Sequence, residues 1–321
     1  MTVDFAPETA TTTPMPRFSG HESFALRYAW LPKATKALAA DTEIFAHEER
    51  AMEVLGIGKN MVRSLRFWVE ATGIAQSVPR SRRLELTPFG RAILDRDGFD
   101  PFLEDIRTLW LLHWTLAGQK ERPLFAWEYM LSRWPRPEFS RSEALAAFHS
   151  ESRKLGGDHS DVTLGQHLDV FLHTYLPGRG GSTAVEDSLD GPLVDLNLLV
   201  PLGERKGEGG RFEPVYAFRR EPKPEISDAL FDYCLMDFLK RMPNADGTLS
   251  LRMITVGVGS PGQVFKLTED DVRTRLEDDG SRDYERPYTY QPSAVQGVLT
   301  VRENAPELSL DLVYGRMSAH A

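Results

Sequence analysis

The sequence predicts a mostly α chain with small β elements, of the α+β class: an N-terminal winged helix-turn-helix, a helical middle and a mixed α/β C-terminal part. Three observations carry this. A block of helical spacing at residues 59–72 runs into two short strand-like pieces and a Thr-Pro helix start. Helical periodicity then dominates residues 102–176. After a stretch rich in Gly, Ser and Asp, strand-like and helix-like pieces alternate to the end.

In chain order, residues 1–16 read as a disordered tail, and Arg17-Phe18-Ser19-Gly20-His21-Glu22-Ser23-Phe24 leads into an apolar stretch through Trp30 and Leu31, where Pro32 begins a helix to Ala40. A second helix over 45–55 ends at Gly56-Ile57-Gly58, because glycine tolerates the positive φ of a turn. In the third helix Met61, Leu65, Trp68 and Val69 share one face, while Lys59, Arg63, Arg66 and Glu70 line the other. Gly73 stops it. Residues 74–78 and 83–86 read as a hairpin turning at Pro79-Arg80-Ser81-Arg82, the wing. Thr87-Pro88 opens the next helix, with threonine as cap and proline at the first helical position.

Helices are expected over 102–117, 124–134, 142–155 and 164–175, a loop over 177–192, and paired strands over 193–202 and 215–219. A helix over 226–241, a turn at Gly257-Val258-Gly259-Ser260-Pro261-Gly262, a helix from Asp270 capped by Thr268, and strands at 294–301 and 308–314 complete the chain. Domains are expected at 17–100, 101–176 and 193–316. A length of 321 residues at 41% hydrophobic and 26% charged fits two or three of them.

The longest apolar stretch, 109–117, is interrupted by His113 and falls far short of the ~20 residues that span a bilayer, so no membrane contact is expected. The N-terminus lacks a cationic leader and apolar segment, and the one cysteine, Cys234, lies in a helical apolar pattern. A cytoplasmic location and a core thiol follow as expectations.

A net charge of −9 argues, taken alone, against a polyanionic partner. Its distribution argues otherwise: Lys59, Arg63, Arg66, Arg80, Arg82, Arg83 and Arg91 stand against only Glu70 and Glu85 in that segment. With Asn60 these side chains are the candidate DNA contacts, the third helix entering a groove and the wing meeting backbone phosphates. A winged helix that binds protein, its arginines solvated, is the structural alternative. Trp110, Trp114, Phe125, Trp127, Tyr129 and Trp134 fit base stacking or core packing, with packing favoured. His167 and His173, six residues apart, lack the i, i+4 spacing of a helical metal pair. Asp195 with Glu221-Pro222-Lys223 imitates a nuclease acid-and-lysine pattern, but proline does not suit a central strand.

The stretch Phe18-Ser19-Gly20-His21-Glu22-Ser23-Phe24, with Leu26-Arg27-Tyr28 and Trp30-Leu31 behind it, resembles the opening of a bacterial family associated with DNA phosphorothioation. The later block Leu55-Gly56-Ile57-Gly58-Lys59-Asn60-Met61-Val62-Arg63-Ser64 is similar to that family as well, and the match runs from Arg17 to about Arg316. This resemblance implies a DNA-nicking endonuclease acting in phosphorothioate modification and anti-phage defence. It implies as partners a cysteine desulfurase, an ATPase and an ATP-pyrophosphatase-like sulfur-transfer protein. A homodimer is compatible with the sequence.

Hydrolysing a phosphodiester needs an activated water and a group to meet the charge growing on phosphorus. The local candidates are His21 as base, Glu22 as ligand of a divalent ion (Mg or Mn), and Arg27 and Lys33 as charge stabilisers. Alternatively, His21 and Glu22 tie the N-terminal segment down by hydrogen bonds. A non-catalytic DNA-binding scaffold and a transcription regulator are the competing functions.

Overall fold

Short polar side chains set where most helices of this chain begin. In the computed structural model, Thr87 accepts from the Gly90 amide, Asp105 from Arg107, Ser160 from Thr163, Ser227 from Leu230 and Thr268 from Asp271. Ser140 and Glu143 form a reciprocal capping box. Each satisfies amides that a helix start leaves without an intrahelical partner. The structure describes residues 15–119, 122–178, 191–207, 210–242, 247–277, 280, 282–293 and 297–316. Most of the predicted tail, 1–14, and most of the predicted loop, 179–190, lie outside the described residues.

The first part runs α1 (Trp30–Ala40), α2 (Glu48–Leu55), α3 (Lys59–Ala71), the hairpin β1 (Ala75–Ser77) and β2 (Leu84–Leu86), and α4 (Pro88–Leu94). The helix expected over 45–55 is split: a 3-10 turn, Ile44–Ala46, precedes α2. α5 (Ile106–Ala117) starts four residues later than the spacing suggests, because Asp105 caps it and Leu103 holds a positive φ of 60°. α6 (Phe125–Glu128) passes into a π turn, Tyr129–Arg133. The buried Lys266 amine donates to the Leu131 carbonyl at 2.7 Å and to Met130 at 3.4 Å, supplying partners where the helical ladder is interrupted.

Next come β3 (Glu138–Ser140), α7 (Arg141–Lys154) and α8 (Asp161–Tyr175), then β4 (Leu199–Lys206), β5 (Phe212–Phe218) and α9 (Asp228–Arg241). The strand expected over 193–202 is a 3-10 turn at Pro192–Leu196 and a strand only from Leu199, since Asn197 adopts a left-handed conformation between them. The remainder is β6 (Thr248–Ser250), α10 (Leu251–Val256), α11 (Pro261–Val264), α12 (Glu269–Leu276), β7 (Tyr288–Gln291), β8 (Val298–Val301) and α13 (Leu310–Val313). The glycine-rich turn therefore opens a short helix with Ser260 as its cap. The strand expected over 308–314 is instead helical, because Ser309 accepts from the Leu312 amide.

Three small antiparallel sheets result, in the orders β1-β2, β3-β5-β4 and β6-β8-β7. The α+β class is as predicted. One contiguous apolar core joins Trp30, Trp68, Trp110, Trp127, Phe139, Phe231 and Phe265, so the tryptophans of the middle segment pack rather than stack on a ligand. Cys234 is fully buried, and burial pushes its thiol pKa up. Among the described residues, no helix is long and apolar enough to cross a membrane.

Candidate nucleic-acid interface

α2 ends at Gly56 in the left-handed conformation, φ 65°, and the chain re-enters a helix two residues later at Lys59. This sharp turn sets α3 across α2. Val62, Leu65, Trp68 and Val69 are buried, Met61 is half-buried, and Lys59, Asn60 and Arg63 face solvent. Two of these cations share one acid: Glu48 on α2 lies 2.9 Å from Lys59 Nζ and 2.6 Å from Arg63 Nε. Hydrogen bonds from Arg63 and then Lys59 hold the Glu48 carboxyl below its usual range. Such exposed pairs are weak and open to competition from another anion.

The hairpin pairs Ala75 with Leu86, Gln76 with Glu85 and Ser77 with Leu84, and its tip is closed by Val78 N to Arg83 O at 3.0 Å. Arg80 takes a positive φ of 59° there. Arg83 is engaged by Glu85 at 2.6 Å and Thr42 at 3.2 Å. Among the described residues, Arg80 and Arg82 have no acidic partner, and both are exposed. Arg66 and Arg82 line one surface cavity of about 690 Å³ with Phe45, His47 and Ser81, which brings α3 and the hairpin tip to a common concavity.

The N-terminal motif packs on the inner side of α3. His21 is 3% exposed, stacked at 5.3 Å on His167 and edge-on to Phe67 at 5.8 Å. Burial lowers its pKa to about 4 and lowers that of His167 as well, so both rings are neutral near pH 7. His167 Nε2 accepts from the Ala126 amide at 3.0 Å, which places its proton on Nδ1, 3.1 Å from His21 Nε2. His21 Nε2 is then the acceptor, and its own proton falls on Nδ1, the atom that the Ser23 amide approaches at 3.2 Å. Four nitrogens and two protons cannot satisfy all three contacts, and the Ser23 one is the longest. His21 thus anchors the loop instead of facing solvent.

The loop itself is tight. Gly20, Glu22 and Ser23 have φ of 114°, 48° and 65°, and a Cβ on Gly20 would meet Phe67 Cδ2 at 2.8 Å. Glu22 is exposed, and its charge acts on Arg63 well after the dominant effect of Glu48. Lys33 is exposed on α1, while Arg27 sits over the rings of Phe24 at 5.8 Å and Trp30 at 5.5 Å. Asp195 accepts from the Tyr28 hydroxyl, Glu221 pairs with Arg219, and Lys223 donates to the Arg219 carbonyl, so the imitation nuclease pattern does not converge.

A cleft that spacing alone did not reveal opens beside the motif. It has a volume of about 710 Å³ and is lined by residues 23–27 on one side, Leu172 and His173 of α8 on another, and Tyr216 of β5. Arg141 closes a two-pronged contact on Asp169, at 2.7 and 2.8 Å, within it. The signal present in the sequence was Asp169 and His173, an i, i+4 pair that shares a helix face. Among the described residues, no group of three or more His, Cys, Asp or Glu is placed to hold a metal ion.

A helix pair, a hairpin with arginines at its tip and a motif loop packed against α3 make up this part of an α+β protein. The chain belongs to the DUF4007 family, described as a protein of unknown function, whose match covers residues 18–314. Its fold is that of SspB. The structure described as "SspB crystal structure" is 24% identical, with a TM-score of 0.78 over 95% of this chain and 88% of that one. The "Magnesium ion-bound SspB crystal structure" is also 24% identical, with a TM-score of 0.76 over 95% and 97%. Among curated proteins, none matches the chain.

Proposed function

We propose that this protein binds duplex DNA through α3 and the β1-β2 hairpin, acting as a winged helix, and nicks one strand in a DNA phosphorothioate modification system. The observation that carries the DNA-binding part is the meeting of α3 and the hairpin tip at one concavity, where Arg66 and Arg82 line the surface together with Glu48, the acid that engages Lys59 and Arg63. Cations grouped locally in an otherwise acidic chain give a site that phosphates can neutralise. The likeness to SspB and the resemblance of the N-terminal motif support the phosphorothioation setting.

For strand cleavage, Glu22 is the motif's exposed acid. A magnesium ion commonly takes one or two protein carboxylates and completes its shell with water and phosphate oxygens, an arrangement that a single exposed Glu22 fits. Bound there, the ion would supply charge stabilisation at phosphorus. The relative described as magnesium ion-bound supports this choice over a metal-free route. Arg63, which feels the Glu22 charge, and Arg27, five residues on in sequence, are candidate cations for that site. His21 acts by holding the loop. In the cell the nicked strand would be handed to a cysteine desulfurase, an ATPase and a sulfur-transfer protein.

A second reading, a non-catalytic DNA-binding scaffold for that machinery, is favoured by the burial of His21, since a ring with a pKa near 4 whose free lone pair, on Nε2, already accepts from His167 is a poor proton acceptor. Supercoiled plasmid incubated with the protein and Mg²⁺ or Mn²⁺ separates the two. Conversion to the open circular form supports nicking, and a gel shift without conversion supports the scaffold.

A further inference from the structure

We infer that a second cavity, on the first arm of the hairpin, is a phosphate site in which Arg17 and Arg122 hold a backbone phosphate of the duplex engaged by α3. The inference rests on the DNA-binding reading for its source of phosphate and on the cavity itself for its chemistry. The cavity measures about 550 Å³ and is lined by Arg17, Gln119 and Arg122 together with Glu70 of α3 and Gln76 and Ser77 of β1. Arg122, Gln76 and Ser77 are exposed, while Arg17 and Gln119 are half-buried, so an anion reaches the two guanidinium groups from solvent.

Arg17 is fixed in place by contacts that leave donors over. Its guanidinium lies 5.0 Å from the centre of the Phe67 ring, Nε donates to the Arg122 carbonyl at 3.2 Å and Nη2 donates to Gln119 Oε1 at 3.2 Å. Gln119 is oriented in turn, because its Nε2 donates to the carbonyls of Glu70 and Ala71 at the end of α3. Those carbonyls would otherwise face an anion with their partial negative charge. An arginine has more N–H donors than these contacts use, and the remaining ones suit the paired oxygens of a phosphate. The backbone joins the two arginines as well, since the Arg17 amide donates to the Pro123 carbonyl at 2.7 Å.

Charge points the same way. Burial, and then the like charge of Arg122, lower the Arg17 pKa to about 10, and Glu70 opposes this as the smallest of the three influences. The Glu70 carboxylate is engaged by the Ser77 hydroxyl. Among the described residues, neither arginine is ion-paired. Two guanidinium groups against one carboxylate leave an excess of positive charge that a bound anion relieves.

The location fits a duplex. Glu70 stands one helical turn beyond Arg66 on α3, and Arg66 lines the concavity shared with Arg82. The two cavities therefore follow one face of the helix, and they border the hairpin at different places, one at Gln76, Ser77 and Pro79, the other at Ser81 and Arg82. A duplex carries one phosphate per ~1.7 Å of its axis, so one seated in the first concavity also presents phosphates to the second.

The test uses the full chain and measures duplex affinity by fluorescence anisotropy from about 50 to about 200 mM salt. Tm is measured with and without inorganic phosphate at matched ionic strength. Arg122→Gln removes the exposed charge, Arg17→Lys keeps its charge but loses the planar fork, and Arg153→Gln removes an exposed charge from α7 as a control. Arg122→Gln and Arg17→Lys are expected to bind ~5-fold or more weakly at the lower salt, while Arg153→Gln binds as wild type. The affinity lost across the salt range should shrink ~3-fold in Arg122→Gln, the share of one phosphate at a slope of ~0.9. Wild-type affinity and salt slope in Arg122→Gln, or an equal loss in Arg153→Gln, overturn the site and leave the α3 and hairpin interface standing. A Tm rise with inorganic phosphate that Arg122→Gln abolishes, with duplex affinity unchanged by that variant, overturns the backbone assignment in favour of free phosphate. If wild type binds no duplex, the proposed DNA function falls and inorganic phosphate alone decides: a Tm rise lost in Arg122→Gln establishes a free-phosphate site, and an absent or unaltered rise overturns the inference.

Discussion

Trp68 Nε1 donates to the carbonyl of Phe24 at 3.0 Å, joining the middle of α3 to the loop that follows His21. The indole is fully buried, so its donor has no water to fall back on. Trp68→Phe keeps the aromatic bulk and leaves the Phe24 carbonyl without that partner. The expected cost is ~1–3 kcal/mol of unfolding free energy, read from urea denaturation. A variant as stable as wild type would mean that the loop is held without this bond.

The hairpin tip carries Arg80 and Arg82 with no acidic partner among the described residues. Arg80→Glu with Arg82→Glu is expected to weaken binding to every duplex alike, because backbone phosphates carry no sequence. The slope of log affinity against log salt should flatten by ~0.9 for each phosphate that the variant no longer neutralises. Unchanged affinity at low and moderate salt would remove the hairpin from the interface.

Glu48 holds Lys59 and Arg63 at 2.9 and 2.6 Å, and under the proposed DNA-binding role it would compete with phosphates for both. Glu48→Gln should therefore tighten binding, most at low salt, in a gel shift. Arg63→Ala should weaken it by an amount that depends on sequence, since a groove-facing arginine gains ~1–3 kcal/mol from a guanine edge. Equal loss on all duplexes would assign Arg63 to the backbone instead.

The α3-hairpin-α4 segment was legible because its determinants are local. The apolar positions 61, 65, 68 and 69 repeat at helical spacing, Gly56 and Gly73 punctuate, and Thr87 caps. What escaped depends on residues far apart. β3 exists because Phe139 pairs with Tyr216 across a long separation, and the His21 environment is made by His167, 146 positions away. Leu308 to Tyr314 looked strand-like by composition, yet one serine cap turns Leu310–Val313 helical. The cleft was hidden for the same reason: its walls come from the motif loop, α8 and β5, and only the Asp169 and His173 spacing was present locally.

Acid should destabilise the fold through its buried imidazoles. His21 has a folded pKa of about 4 against an ordinary value of 6.5, and His113, bonded to Tyr175 at 2.8 Å, is lowered to about 3. A depressed histidine binds more protons unfolded than folded between those values, so stability is full above pH ~6.5 and falls as pH drops toward 4. Tm should decline over that window, and His21→Gln should shallow the decline while lowering Tm at pH 7. A Tm that is flat from pH 7 to 4.5 would contradict the neutral, buried assignment.

His21 and Glu22 are adjacent in sequence but differ in surroundings, one 3% exposed and stacked on His167, the other exposed to solvent. Their alanine variants should therefore separate. His21→Ala removes a ring packed between Phe67 and His167 and leaves His167 Nδ1 without its acceptor, so it should lower stability by ~2–4 kcal/mol and reduce DNA binding and nicking together. Glu22→Ala deletes only an exposed carboxylate, with the left-handed backbone costing alanine about what it costs glutamate, so Tm should hold within a degree or two. If Glu22 holds the divalent ion, its loss should abolish plasmid nicking in Mg²⁺ while the gel shift persists, and higher metal concentration should restore part of the rate. Should Glu22→Ala nick at the wild-type rate, the ion is not held there and the motif's contribution is the loop geometry that His21 maintains.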